Sequence, residues 1–461
     1  MEPQLKPQLE YSKEERTEYK APPQHVLQMI KWIGPGLAVA AAAVGSGEII
    51  NATRFGAIAG FAVLWVVFCG VFLKGFIQQE IGRYTLTTKK TITEGFSDIP
   101  GPKIKGKSWF LWSFIALLAL VVLVIVAGIS GAMGGVIHTL FPFWSATTWG
   151  NLAMLSVIPM LLAGTLVSRW NVYRIFESIM TVLVVMMTLF MVYVAFIAIP
   201  STGKYSYSLT ELLGGMTFSL PSGSTIMALA VLGTVGAGIE LVFYSAWLTG
   251  KGYLDQAYHP EDSESQQENR MRSWIRILKL DTWVGVFATF IVTLAYFITG
   301  ASVLKTLGEV PNGVDVVKQI SVVFTDVLGP EFYYLFLIGA FAGLLSTALG
   351  VADGTARMST DIINEISGQR RSNNNNKIYS WVVIGVVISW IIFYSMIKAP
   401  TLLIMIGGAA LSLLFPMYGA ALLYLNRQVP KKYQMSTFTK IALAGCFLLF
   451  TSLWFVEKLF S

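Results

Sequence analysis

The sequence predicts an all-α membrane protein of eleven transmembrane helices. Ten of them form two five-helix halves of opposite orientation, and the first and sixth are broken near mid-membrane. Three observations predict this. The 461 residues are 54% hydrophobic and only 13% charged, with a mean hydropathy of +0.63, which leaves too little polar surface for a water-soluble globule. Apolar stretches repeatedly reach the ~20 residues that a helix needs to cross a bilayer. A Gly-x-Gly element followed by a carboxylate recurs five spans apart inside two of those stretches.

Read in order, the spans fall at about 33–57, 60–84, 109–138, 149–168, 172–199, 224–249, 272–299, 330–358, 378–397, 399–426 and 438–457. The breaks between them carry ordinary turn punctuation: Asp98-Ile99-Pro100-Gly101-Pro102, Ile199-Pro200-Ser201 and the run Asn373 to Asn376. Residues 1–32 are polar and proline-bearing, without the early apolar core of a cleaved signal peptide, and read as a mobile cytoplasmic tail. With that tail inside, 26 Lys and Arg lie on inner loops and span ends, 6 lie on outer ones, and Lys74 lies within span 2. This asymmetry predicts a cytoplasmic N-terminus and, after an odd number of spans, an outside C-terminus, in the plasma (bacterial inner) membrane. The net charge of +7 is thereby a topology signal and not a nucleic-acid face. Cys69 and Cys446 sit in separate apolar runs and suggest neither a disulfide framework nor a thiolate metal site.

The repeat is Val44-Gly45-Ser46-Gly47-Glu48-Ile49 in span 1 against Val235-Gly236-Ala237-Gly238-Ile239-Glu240-Leu241 in span 6. Five spans separate the copies, so they cross in opposite directions, as in an inverted repeat. The expected organisation is residues 33–199 as the first half, 224–426 as the second, and 438–461 as an appended helix with the outside end. Glycine is poor in helix interiors, and unwound backbone at membrane depth is tolerated only where protein buries it or a cavity needs it. The expected site is therefore Gly45, Ser46, Gly47, Glu48, Gly236, Ala237 and Glu240. Glycine pairs also permit close helix packing without unwinding, the bland alternative.

The residues resemble a known family. Gly34-Pro35-Gly36, then eight residues, then Gly45-Ser46-Gly47-Glu48 is similar to the first helix of Nramp-type divalent-metal transporters. There the same spacing leads from Gly-Pro-Gly to Asp-Pro-Gly-Asn. Gly233-Thr234-Val235 followed by Tyr244-Ser245-Ala246 resembles their sixth helix, and Arg174-Ile175-Phe176-Glu177 and Ser346-Thr347 also fit. The resemblance covers nearly all eleven spans and implies the LeuT-type fold of the amino acid–polyamine–organocation superfamily, alternating access and often proton coupling. It also implies that the family's metal-binding Asp falls on Gly45 and its Asn on Glu48. The sixth-helix Met falls on Gly236 or Ala237, the following His on Gly238 or Ile239, and the later His on Tyr244. Loss of the thioether removes the soft ligand that favours transition metals.

An intramembrane acid is a functional candidate by default. Glu48 and Glu240 are the expected metal ligands, suited with Ser46 and unwound carbonyls to a hard divalent ion. Alternatively one of them carries a proton, or each caps its own half-helix. Tyr244 and Asp353 are candidates for coupling or for support of the site, while Phe243, Tyr244 and Trp247 either face an organic cation or pack as core. Glu80 and Arg83 read as a structural pair. Arg54 and Lys74 read as snorkelling side chains, and His138 as an outer-loop residue.

The expected function is secondary-active transport of a small cation, first a hard divalent metal, with proton coupling implied by the resemblance; the alternative is a small organic cation or amino acid. No cofactor is expected, and the partners are the substrate, protons and the bilayer, with the chain a monomer. An enzyme is disfavoured because there is no His-Glu-x-x-His and His25, His138 and His259 fall outside the spans. A channel suits paired broken helices less well, and a non-transporting sensor is a further alternative that nothing in the sequence excludes.

Overall fold

The structure, a computed structural model, describes residues 23, 25–166, 171–367 and 375–460. Residues 1–22 of the tail, Asn373 and Asn374, and the side chains of Arg174, Ile175, Phe176 and Glu177 lie outside the described residues. Among the described residues the chain is helical apart from loops and one two-residue ribbon, Lys103–Ile104 paired with Lys107–Ser108.

Helix starts follow local chemistry. Ser263 and Gln266 form a capping box at the head of span 7, Glu264–Thr299. Ser108 accepts the Phe110 N–H at the head of span 3, Trp109–Leu140. Span 10 opens on Pro400 at its first turn, where a missing N–H costs nothing. The remaining long helices are span 2, Leu64–Thr88; span 4, Ala146–Leu166; span 5, Asn171–Tyr193; span 8, Phe332–Ser367; span 9, Asn375–Ile397; and span 11, Thr437–Phe460.

Among the described residues ten helical segments are long and apolar enough to cross a membrane, against eleven spans expected. The difference lies in span 1. Its first half, Pro35–Ala43, has nine residues, and its second half is continuous with span 2 in the 43-residue run Ser46–Thr88. A straight helix of that length would be about 65 Å, twice the hydrocarbon thickness. The run divides at Gly60, which takes φ +66°.

Burial sorts the helices into centre and rim. Of the segment Thr225–Val242 in span 6, 89% of residues are buried, against 22–33% of the most apolar stretches of spans 4, 5, 9 and 11. Leu189, Trp381, Met396, Ile441 and Leu448 are exposed apolar side chains on those rim helices, as a lipid-facing surface requires. Spans 1 and 6 thus sit where polar atoms can be shielded from hydrocarbon.

Candidate functional site

Both central helices stop and restart. In span 1 the helix ends at Ala43, Val44 and Gly45 are non-helical, and a π-helical stretch Ser46–Ala52 runs into Thr53–Ala59. In span 6 the helix Thr225–Thr234 ends, Val235 is extended, Gly236 takes φ +84°, and a 3₁₀ turn Ile239–Val242 leads into Tyr244–Gly250. The Ala237 N–H donates to the Val235 carbonyl at 3.0 Å, a γ-turn centred on Gly236 that only glycine forms without strain.

Each break leaves carbonyls that hydrocarbon cannot satisfy, and each is served by one side chain from a neighbouring span. The Thr347 hydroxyl of span 8 lies 3.3 Å from the Ala42 carbonyl, at the end of the first half of span 1, and 3.1 Å from its own Gly343 carbonyl. The Lys74 ammonium of span 2 donates to the Val235 carbonyl and reaches the Gly233 carbonyl at 3.4 Å, both at the end of the first half of span 6. Lys74 is 1% exposed and its ammonium stands 4.7 Å from the centre of the Phe415 ring. It does not snorkel. Arg54 does not either: it is buried and donates Nε to the Pro311 carbonyl at 2.7 Å.

The two repeated glutamates have diverged in role. Glu48 is fully buried; its Oε1 accepts the Gly236 N–H at 3.1 Å and the Thr293 hydroxyl of span 7 at 3.2 Å. Its Oε2 has no partner among the described residues. So Glu48 reaches across to the other broken helix. Glu240 instead accepts the Gly238 N–H at 2.8 Å, two residues before it.

Glu240, Ser46, Gly47, Thr234, Gly238 and Thr347 line a cavity of about 20 Å³, together with apolar residues that include Ile125, Ile129, Val351 and Leu411. That is room for one water-sized body. Glu48 does not line it, and Gly236 and Ala237 face a tighter crevice beside Lys74 and Gln78. Of the two acids expected as ligands, Glu240 lines this cavity and Glu48 does not. Among the described residues no three His, Cys, Asp or Glu side chains gather to hold a metal.

Tyr244 lies further along span 6 and faces away from this cavity. Its hydroxyl donates to Asp281 of span 7 at 3.1 Å and lies 3.0 Å from the Thr282 hydroxyl. Asp281 was not visible as a candidate in the sequence. It is fully buried and accepts the Gly34 and Gly36 N–H groups, each at 2.8 Å. The Gly34-Pro35-Gly36 motif thus presents two free N–H groups at a helix start to one carboxylate, clamping the first half of span 1 to spans 6 and 7. Asp353 is committed elsewhere, to Arg357 at 2.7 Å and to the Tyr379 hydroxyl at 2.6 Å, and does not touch the breaks. Glu80 and Arg83 form the expected buried pair, extended to Asn426 and the Tyr433 carbonyl. The His138 ring sits in the last turn of span 3 against the Trp144 carbonyl.

The model of one family, "Natural resistance-associated macrophage protein-like", matches residues 36–456 of this chain. The chain belongs to the Nramp-like family. It is a multi-pass membrane transporter and not an enzyme. Among solved structures, a manganese transporter of Eremococcus coleocola superposes with a TM-score of 0.63 at 14% identity, over 95% of this chain and 89% of that one. MhsT, solved in complex with L-phenylalanine, gives a TM-score of 0.51 at 16% identity, over 93% and 98%. Both likenesses establish the LeuT-type fold. An uncharacterized protein of Pasteurella multocida is 22% identical over 344 residues, 74% of this chain and 72% of that one.

Proposed function

We propose that this Nramp-like transporter carries a small cation by alternating access, and that the cargo is a divalent metal ion of the hard, oxygen-preferring class such as magnesium or manganese. The observation that carries this reading is the cavity between the broken helices. Its lining includes Glu240, Ser46, Thr234 and Thr347, whose polar side-chain atoms are all oxygen, a set that suits hard cations. Its volume of about 20 Å³ favours a bare ion over an organic cation or amino acid. The family membership and the manganese transporter among the structural neighbours support the same reading.

Glu48 suits a second role. It is buried, holds one oxygen without a partner, and bridges the two breaks; a carboxyl in that position can take up a proton when the cation leaves, which would couple the two movements. The topology proposed with this function has the N-terminus in the cytoplasm, the C-terminus outside, and one chain as the working unit in the plasma membrane.

Purified protein in liposomes tests the reading. Uptake of Mn²⁺ or Mg²⁺ should saturate, exceed uptake of choline or amino acids, and fall at least tenfold in Glu240→Gln. Unimpaired metal uptake by Glu240→Gln would sink the cavity assignment, and uptake of amino acids in place of metal would sink the cargo.

A further inference from the structure

Lys74 is a buried charge that does not line the cavity assigned to the cargo, and its surroundings point to another role. A buried ammonium is costly unless oxygen atoms replace its water. This one is served by the Gly233 and Val235 carbonyls, the negative pole of the first half of span 6, and by the face of Phe415. Broken helices offer such carbonyl ends to mobile cations. In this chain that position holds a cation that cannot leave.

The ammonium is wired to the site. The carbonyl of Val235 and the N–H of Gly236 belong to one peptide group. Lys74 binds its oxygen, and Glu48 Oε1 binds its N–H at 3.1 Å. Among the described residues neither Glu48 nor Glu240 forms a direct ion pair with the ammonium. Hydrogen-bonded chains of this kind polarise one another.

We propose that Lys74 is a tethered cation that determines the charge selectivity of the transport site. It leaves Glu48 and Glu240, when ionised, with one net negative charge in place of two, and so holds divalent affinity low enough for the ion to be released. The inference rests on the cation-transport reading above. A site with two uncompensated buried carboxylates would bind a divalent ion tightly and release it slowly, which defeats turnover. Because Coulomb energy scales with cargo charge, removing the ammonium should change the affinity for a divalent ion by about the square of the factor for a monovalent one.

The test uses full-length protein with Lys74→Met, an apolar side chain of similar length, and Lys74→Gln, a neutral donor. Binding of Mn²⁺, Mg²⁺ and Na⁺ is measured by calorimetry in detergent, and Mn²⁺ uptake in liposomes. Expected are tenfold or tighter Mn²⁺ binding, a smaller change for Na⁺, and a lower maximal uptake rate with a lower KM. Adding Glu48→Gln to Lys74→Met should return Mn²⁺ affinity toward the wild-type value. If the wild type binds Mn²⁺ and both folded variants bind it within twofold or more weakly, the tethered cation is refuted while the transport reading stands. If the variants bind Mn²⁺ but the wild type does not, the tethered cation is supported and the divalent cargo is refuted. If none binds any cation, both fall. Lys74→Gln decides the matter should Lys74→Met fail to fold.

Discussion

The position where the family's metal-binding Asp is expected, Gly45, is closed to side chains by span 8. A Cβ built there lies 2.9 Å from Thr347 Cβ and 3.3 Å from its Cγ2, and deeper still inside its hydroxyl oxygen. Relief requires the Thr347 side chain to turn. That β-branched residue has few rotamers on a helix, is 6% exposed, and would give up its contacts with the Ala42 and Gly343 carbonyls. Overpacking at about 1–3 kcal/mol and a lost hydrogen bond at about 1 kcal/mol together give roughly 2–4 kcal/mol for Gly45→Ala. Gly45→Asp should do worse, since it adds a carboxylate to the same overlap. The assay is the melting temperature of purified protein in detergent, with metal uptake in liposomes as the functional readout. Gly45→Ala should lower both, and adding Thr347→Ala should recover much of the loss because only the 2.9 Å Cβ contact then remains. An unchanged melting temperature and uptake for Gly45→Ala alone would refute the reasoning.

Other outcomes follow from the same geometry. Gly236→Ala forces a side chain into φ +84° and within 3.0 Å of the Val71 Cα; at about 1–3 kcal/mol of strain it should misalign the Val235–Gly236 peptide and cut uptake about tenfold or more, measured beside a melting curve. Asp281→Asn keeps the shape of the clamp on Gly34 and Gly36 but gives up a charge-assisted hydrogen bond of about 1.5–3 kcal/mol. A cysteine placed at Ala40, with Cys69 and Cys446 replaced, should then react faster with an impermeant maleimide applied to the face carrying the N-terminus. Glu80→Gln strands the buried Arg83 guanidinium and should cost about 3–5 kcal/mol, read as a lowered melting temperature without a change in cation preference.

Much of the architecture was legible in the chain because a bilayer permits few solutions. Backbone groups in hydrocarbon must be satisfied within the segment, so apolar runs of sufficient length are helices. The glycine pairs at 45–47 and 236–238 announced the breaks for the same reason: they are the points where that rule is relaxed. Tyr244 and Asp353 were legible only as polar residues in apolar runs. Their partners, Asp281 and the pair Arg357 and Tyr379, decide that neither faces the cavity.

Lys74 carried a sequence signal, since it is a lone charge in an apolar stretch, whereas Asp281, two residues after Lys279, did not. That signal states a cost without saying what offsets it. The sequence by itself determined that the protein spans a membrane, that spans 1 and 6 break, and that acids follow both breaks. Only the tertiary structure decided that Glu48 crosses to Gly236, 188 residues away, that Lys74 reaches carbonyls 159 and 161 residues on, and that Asp281 holds the start of span 1 from 245 and 247 residues away. Helix-forming tendency and hydropathy act over a few turns, whereas the partner of a buried charge is chosen by which helices pack together.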